Sequence, residues 1–181
     1  LDCFNVGRTT FLSSLFRPRI DRILFAATKA DHLHRSSHDR LEAILRHMVE
    51  RAASRAEFAG AKTDVVALAA VRATREAMVQ QGHEKLPAIL GTPIAGESAN
   101  GEMFDGETEV ATFPGDLPTD LDALLTDDAA FRGLTAGSHE QADYRFLRFR
   151  PPRLERDDRE PALPHIRLDR ALQFLIGDRL Q

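Results

Sequence analysis

Ile23-Leu24-Phe25-Ala26-Ala27 is continuously apolar and flanked by charge, the pattern of a strand buried on both faces beneath covering helices. After a polar loop, Ser36 stands three residues ahead of Asp39, a capping-box-like start. Leu41, Ile44, Leu45, Met48 and Ala52 then recur at three- and four-residue spacing, which predicts an amphipathic helix stopped by Gly60. Residues 65–70, VVALAA, predict a second buried strand, and Ala73 to Gln81 are helix-compatible up to Gly82. Upstream, Phe11, Leu12, Leu15 and Phe16 predict a short helix ended by Pro18. Alternation of strand and helix favours an α/β fold, with parallel strands and covering helices.

From about residue 86 the pattern breaks into short pieces, punctuated by Pro87, Gly91, Pro93, Gly96, Gly101, Gly106, Pro114, Gly115 and Pro118. Ala88–Leu90 and Glu107–Phe113 read as short strands joined by turns, a small β-rich insertion. Residues 119–134 suit a short acidic helix. Tyr144–Phe149 read as an aromatic strand stopped by Pro151 and Pro152, with a charged loop over 153–161. A last helix begins near Arg167, and Leu168, Ala171, Leu172, Leu175 and Ile176 give it one apolar face suited to docking. The expected organisation is a core portion over 1–91, a β-rich or irregular insertion over 92–140, and a strand and C-terminal amphipathic helix returning to the core over 141–181.

The 181 residues, 43% hydrophobic, suffice for one domain with a real core. A formal net charge of -4 argues against a generally basic nucleic-acid binder, so no specific nucleic-acid partner is expected. Cys3 is the single cysteine; it excludes an intramolecular disulfide and makes the cytoplasm the expected location. No apolar run approaches the ~18 residues of a membrane span. The chain begins at Leu1, inside what reads as a helix approach, and is expected to be the C-terminal part of a longer protein.

Thr28-Lys29-Ala30-Asp31 follows the first strand directly, and in open α/β sheets ligands bind outside the carboxyl ends of strands. Guanine offers two adjacent donors, and one carboxylate, that of Asp31, can accept both. Adenine would face the same oxygens with an acceptor, so mispairing gives discrimination. Lys29 can lay its methylene stem over the base, and the Thr28 hydroxyl can tie the loop to a neighbouring segment. At the end of the second strand, Ala69, Ala70 and Val71 are small enough for backbone N–H groups to approach the guanine carbonyl. A lysine and an aspartate in a polar loop capping a strand explain the same letters.

Asp31, His32, His34 and His38 lie within eight residues, but solvated loop histidines account for them better than zinc does. Arg145, Arg148, Arg150 and Arg153 interleave with Tyr144, Phe146 and Phe149; a strand that buries its aromatics and holds its arginines in water accounts for this better than nucleic-acid or anionic-lipid contact does.

Taken together, RIDRILFAATKADH, ALAAVRATRE, FDGETEVATFPGDLP, YRFLRFRPP and LPHIRLDRALQFLIGDRL resemble the YcjX family of P-loop NTPases over most of the chain. The resemblance implies a Ras-like P-loop NTPase core with family-specific additions, GTP or GDP as ligand, and a stress-associated cytoplasmic bacterial protein whose protein partner is unknown. It puts base specificity on Thr28, Lys29 and Asp31, and a second base-contacting loop on Ala69, Ala70, Val71 and Arg72. The chain departs from the family in having no Gly-x4-Gly-Lys-[Ser/Thr]; Gly7-Arg8-Thr9-Thr10 mimics the tail of that motif without its lysine. No Asp-x-x-Gly follows a strand to hold Mg²⁺. Phosphate and Mg²⁺ contacts are therefore expected from a preceding part, and hydrolysis is not expected from these residues alone. A scaffold or interaction module, or an ATP-binding protein, remains an alternative, since Thr28 stands where the motif more commonly has Asn.

Overall fold

The structure is a computed structural model; it describes residues 20–99, 101–113, 117, 147–153 and 163–180. The helices expected over 9–16 and 119–134, and the strand expected to begin at Tyr144, fall wholly or partly outside these residues. The described part is a mixed α/β structure. Its strands are β1 (Arg22–Ala27), β2 (Lys62–Ala67), β3 (Arg75–Gln81), β4 (Glu84–Gly91), β5 (Ser98–Ala99), β6 (Glu102–Met103) and β7 (Val110–Thr112). Its α-helices are α1 (His38–Phe58) and α2 (Leu168–Ile176). Two compact units divide the chain, one from residues 1–30, 41–70 and 165–181, the other from 31–40 and 71–164.

In the first unit β1 and β2 pair in parallel, from Arg22 opposite Lys62 to Ala27 opposite Ala67. The apolar runs make this pair, although β2 ends at Ala67 rather than continuing to residue 70. Helix α1 connects the two strands. It buries Ile44, Val49, Ala52 and Ala56, while Met48 is 49% exposed. The apolar face is thus rotated from the expected one, because Val49 and Ala56 extend the stripe with less bulk than Met48. Gly60 (φ 89) ends the helix: its N–H reaches Glu57 O at 2.8 Å and the Ala61 N–H reaches Ala56 O at 3.0 Å, a Schellman closure. Helix α2 buries Ala171, whereas Leu172, Leu175 and Ile176 stay exposed, so the apolar face expected to dock is only partly covered.

The second unit is built on an antiparallel sheet of order β3-β4-β7. Ala73–Gln81 was the segment expected to be helical; it is instead strand β3, paired with β4 from Arg75–Leu90 to Gln81–Glu84. The residues are good helix formers, but seven cross-strand pairs outweigh that weak preference. Gly82, with φ 63, sits first in the two-residue turn between them, where a tight hairpin needs positive φ. Among the described residues β7 pairs with residues 89–91 of β4, and no described strand flanks Pro87 on that side, a position where a missing N–H is tolerated. β5 and β6 form a small separate hairpin. Gly91 is required by packing: a Cβ there would stand 2.6 Å from the ring of Phe149.

Candidate functional site

In the first unit the two parallel strands release their chains side by side. The Leu68 N–H donates to Ala27 O at 2.8 Å, and the Ala30 N–H donates to Leu68 O at 3.1 Å, so the segment leaving β1 is stitched to the segment leaving β2. Thr28 and Lys29 between these bonds are exposed, and Lys29 is left-handed at φ 60. For a residue with a Cβ that geometry costs about 1–2 kcal/mol, and it persists here because the flanking hydrogen bonds hold both ends of the turn.

The outer edge of β2 is occupied by side chains. Glu42 of α1 accepts the Ala67 N–H at 2.9 Å, the Asp64 carboxylate accepts the Val65 N–H at 2.8 Å, and Arg170 of α2 donates to Val65 O at 3.3 Å. Arg167 and Arg170 both pair with Glu42, and Arg170 also reaches Asp64. Burial works against the Arg170 charge, but Asp64 and Glu42 together raise its pKa above the ordinary value. One step further along, Ala69 exchanges both backbone bonds with Ile166, at 3.1 and 2.9 Å. The Ala69 N–H is therefore committed. Glu42 is a residue that sequence reasoning passed over. Its signal was a carboxylate three and seven residues ahead of Leu45 and Val49, on the inner side of α1.

In the second unit Asp31 is 5% exposed. Its Oδ2 accepts the Ala73 N–H at 3.0 Å, and its carbonyl accepts the hydroxyl of the buried Thr74. The Arg72 N–H donates to Pro164 O at 2.7 Å, and the Arg72 side chain donates to Thr74 O at 2.9 Å and pairs with Glu76 at 3.1 Å. Among the described residues the N–H groups of Ala70 and Val71 have no acceptor. Both residues are exposed.

The histidines have other work. His32 meets the Phe149 ring edge-on at 5.4 Å, His34 accepts from the Ser36 N–H ahead of a short 3₁₀ turn, and His38 reaches Leu33 O at 3.3 Å. No group of three or more His, Cys, Asp or Glu suited to a metal occurs among the described residues. No described helix is long and apolar enough to cross a membrane.

Residues 1–180 match the model of the YcjX-like family, DUF463. The chain is similar to the protein named Ras-like GTPase YcjX from Escherichia coli (strain K12), 34% identical over 181 residues, which is 100% of this chain and 34% of that protein. It is 31% identical over 182 residues to the protein of the same name from Shewanella oneidensis MR-1, covering 100% of this chain and 33% of that protein. The chain thus spans about a third of the length of the curated relatives it matches. As its five resembling segments implied, the chain belongs to the YcjX-like family.

Proposed function

We propose that this chain supplies guanine recognition to a GTP- and GDP-binding protein of the YcjX-like kind, through Thr28, Lys29 and Asp31 with the loop from Ala69 to Arg72. The observation that carries the reading is the Thr28–Asp31 segment at the carboxyl end of β1, fastened through Ala30 to the exit of β2. Asp31 accepts the two donors of guanine. Because its Oδ2 already takes one bond from Ala73, Oδ1 and the remaining lone pair of Oδ2 meet the base. Lys29 covers the base face with its stem. Ala70 and Val71 offer the uncommitted N–H groups to the guanine carbonyl, while Ala69 and Arg72 hold the loop through their own backbone bonds. That two curated relatives carry the name Ras-like GTPase supports the reading. Among the described residues no group of three or more His, Cys, Asp or Glu suited to a metal occurs, and no phosphoryl-transfer step is assigned to them.

A second reading rests on the same carboxylate: Asp31 acts as a brace for Ala73 and Thr74, without a ligand, in a scaffold module. Asp31→Asn separates the two, because asparagine keeps an acceptor for the Ala73 N–H but presents a donor where guanine needs an acceptor. Titration calorimetry with guanosine, xanthosine and adenosine diphosphates is the assay. The recognition reading expects guanosine diphosphate to weaken by about 10- to 100-fold, the weight of a charge-assisted bond, and xanthosine diphosphate to strengthen. Equal affinities for the two nucleotides in both proteins, or tighter adenosine than guanosine diphosphate, would refute it.

A further inference from the structure

The second unit contains a cavity of about 670 Å³, within the usual span of small-molecule sites; it shares Arg72 with the proposed base-contacting loop, but its other cationic residues have no role in the nucleotide reading. We propose that it binds a small oxyanion-bearing molecule, a phosphate or carboxylate compound of roughly nucleotide size, with Arg150 and Arg153 as the anion-holding residues.

Four arginines line the cavity, and the structure divides them into two kinds. Arg72 is committed to Glu76 and to Thr74 O. Arg75 is clasped by Glu109 through two bonds, Nε to Oε1 at 3.0 Å and Nη2 to Oε2 at 2.5 Å; the hydrogen bond and charge of Glu109 raise the Arg75 pKa, and Arg75 lowers that of Glu109. These two are neutralised pairs in the wall. Arg150 is different: it spends Nη1 on Gly106 O at 2.5 Å, which fixes the guanidinium while leaving its other nitrogens. Arg153 makes no hydrogen bond or ion pair among the described residues, and it is exposed.

Between them stand Pro151 and Pro152, whose rings lock φ near -65°, so the spacing of the two cations is held by a stiff connector rather than by a floppy loop. A guanidinium is a planar fork of donors matched to carboxylate and phosphate oxygens. Leu90, Pro151, Pro152 and Pro164 give the same cavity an apolar wall for the body of the ligand. At the rim, Glu107 has its backbone N–H tied to Asp105, and its carboxylate has no partner among the described residues. With the two engaged pairs cancelled, Arg150 and Arg153 against Glu107 leave one positive charge. This predicts a sign that misfolding cannot imitate: removing Glu107 tightens anion binding, and removing Arg153 weakens it.

The test is calorimetry of this chain at fixed ionic strength with sodium phosphate, sodium pyrophosphate, citrate and adenosine 5′-monophosphate as probes. One-site saturable binding is expected. Arg153→Gln should weaken it about tenfold, and Glu107→Gln should tighten it about two- to fivefold, with unchanged unfolding midpoints. A preference for pyrophosphate assigns the phosphate source, and a preference for citrate the carboxylate source. Adenosine monophosphate binding tighter than inorganic phosphate assigns the body of the ligand to the proline wall. No saturable heat from any probe up to roughly 10 mM, or constants that neither variant moves, overturns the proposal. Because pyrophosphate carries no base, this outcome is independent of the Asp31 experiment.

Discussion

Removing the carboxylate of Glu42 tests whether side chains hold the outer edge of β2. Glu42 is 12% exposed and meets the N–H of Ala67, a residue with no exposure at all. In Glu42→Ala that N–H loses its acceptor in a dry position, which costs about 1–3 kcal/mol. Arg167 and Arg170 lose a partner too, but they are 29% and 43% exposed, so solvent screening limits their joint share to about 1 kcal/mol. The expected total is about 2–4 kcal/mol. Glu42→Gln keeps an acceptor oxygen for Ala67 and loses only the charge, so it should cost about 1 kcal/mol or less. Urea unfolding followed by circular dichroism measures both, with the slope unchanged. Amide hydrogen exchange adds a local signal: in Glu42→Ala the Ala67 amide should exchange faster, while the Leu68 amide, bonded to Ala27, stays protected. If alanine and glutamine unfold at the same midpoint, the backbone bond contributes nothing and the reasoning fails.

Gly91→Ala should destabilise the second unit by about 1–3 kcal/mol, since the added carbon meets the Phe149 ring at 2.6 Å. In a Phe149→Leu background the same change should turn neutral or stabilising, because a strand alanine outperforms glycine by about 0.5–1 kcal/mol; an equal cost in both backgrounds would exclude the clash. The Asp105 carboxylate accepts the Glu107 and Thr108 N–H groups and the Thr108 hydroxyl, and the Thr108 bonds lead in pushing its pKa down to about 2. A depressed folded pKa means that its contribution is complete above the unfolded value near ~3.9 and is lost as pH falls through about 2. The Thr108 amide shift should therefore titrate with a midpoint near that lower value; a midpoint at an ordinary aspartate value would count against the turn.

The first unit was the more legible in sequence. Its strands and α1 announce themselves because a continuous apolar run or one apolar stripe leaves a trace, although β1, expected to be buried on both faces, is half-buried with Ala26 exposed, and Gly60 marks a stop that only a left-handed residue makes easily. Strand β3 was hidden because its residues prefer helix in isolation, and its state is decided by a partner strand rather than by its own composition. The small displacement from Met48 to Val49 reflects shape: both fit the periodicity, and the slimmer one sits inside. At the candidate site, the Thr28–Asp31 segment was visible as a motif at a strand end. The bond from Ala73 to Asp31 was not, since it joins residues 42 apart in the chain. The arginine string was visible as charge. Its division into Arg148 on Glu97, Arg150 on Gly106 and Arg153 without such a tie among the described residues depends on loops that only the folded chain brings together.

The occupied flank of β2 has a directional consequence. At Val65, Ala67 and Ala69 the backbone groups that would greet another strand already belong to Asp64, Arg170, Glu42 and Ile166. A newcomer on that flank would have to evict ionic partners before forming a single rung. Growth of this two-stranded parallel sheet is thereby steered to the far flank of β1, so the chain dictates on which side the sheet can be extended.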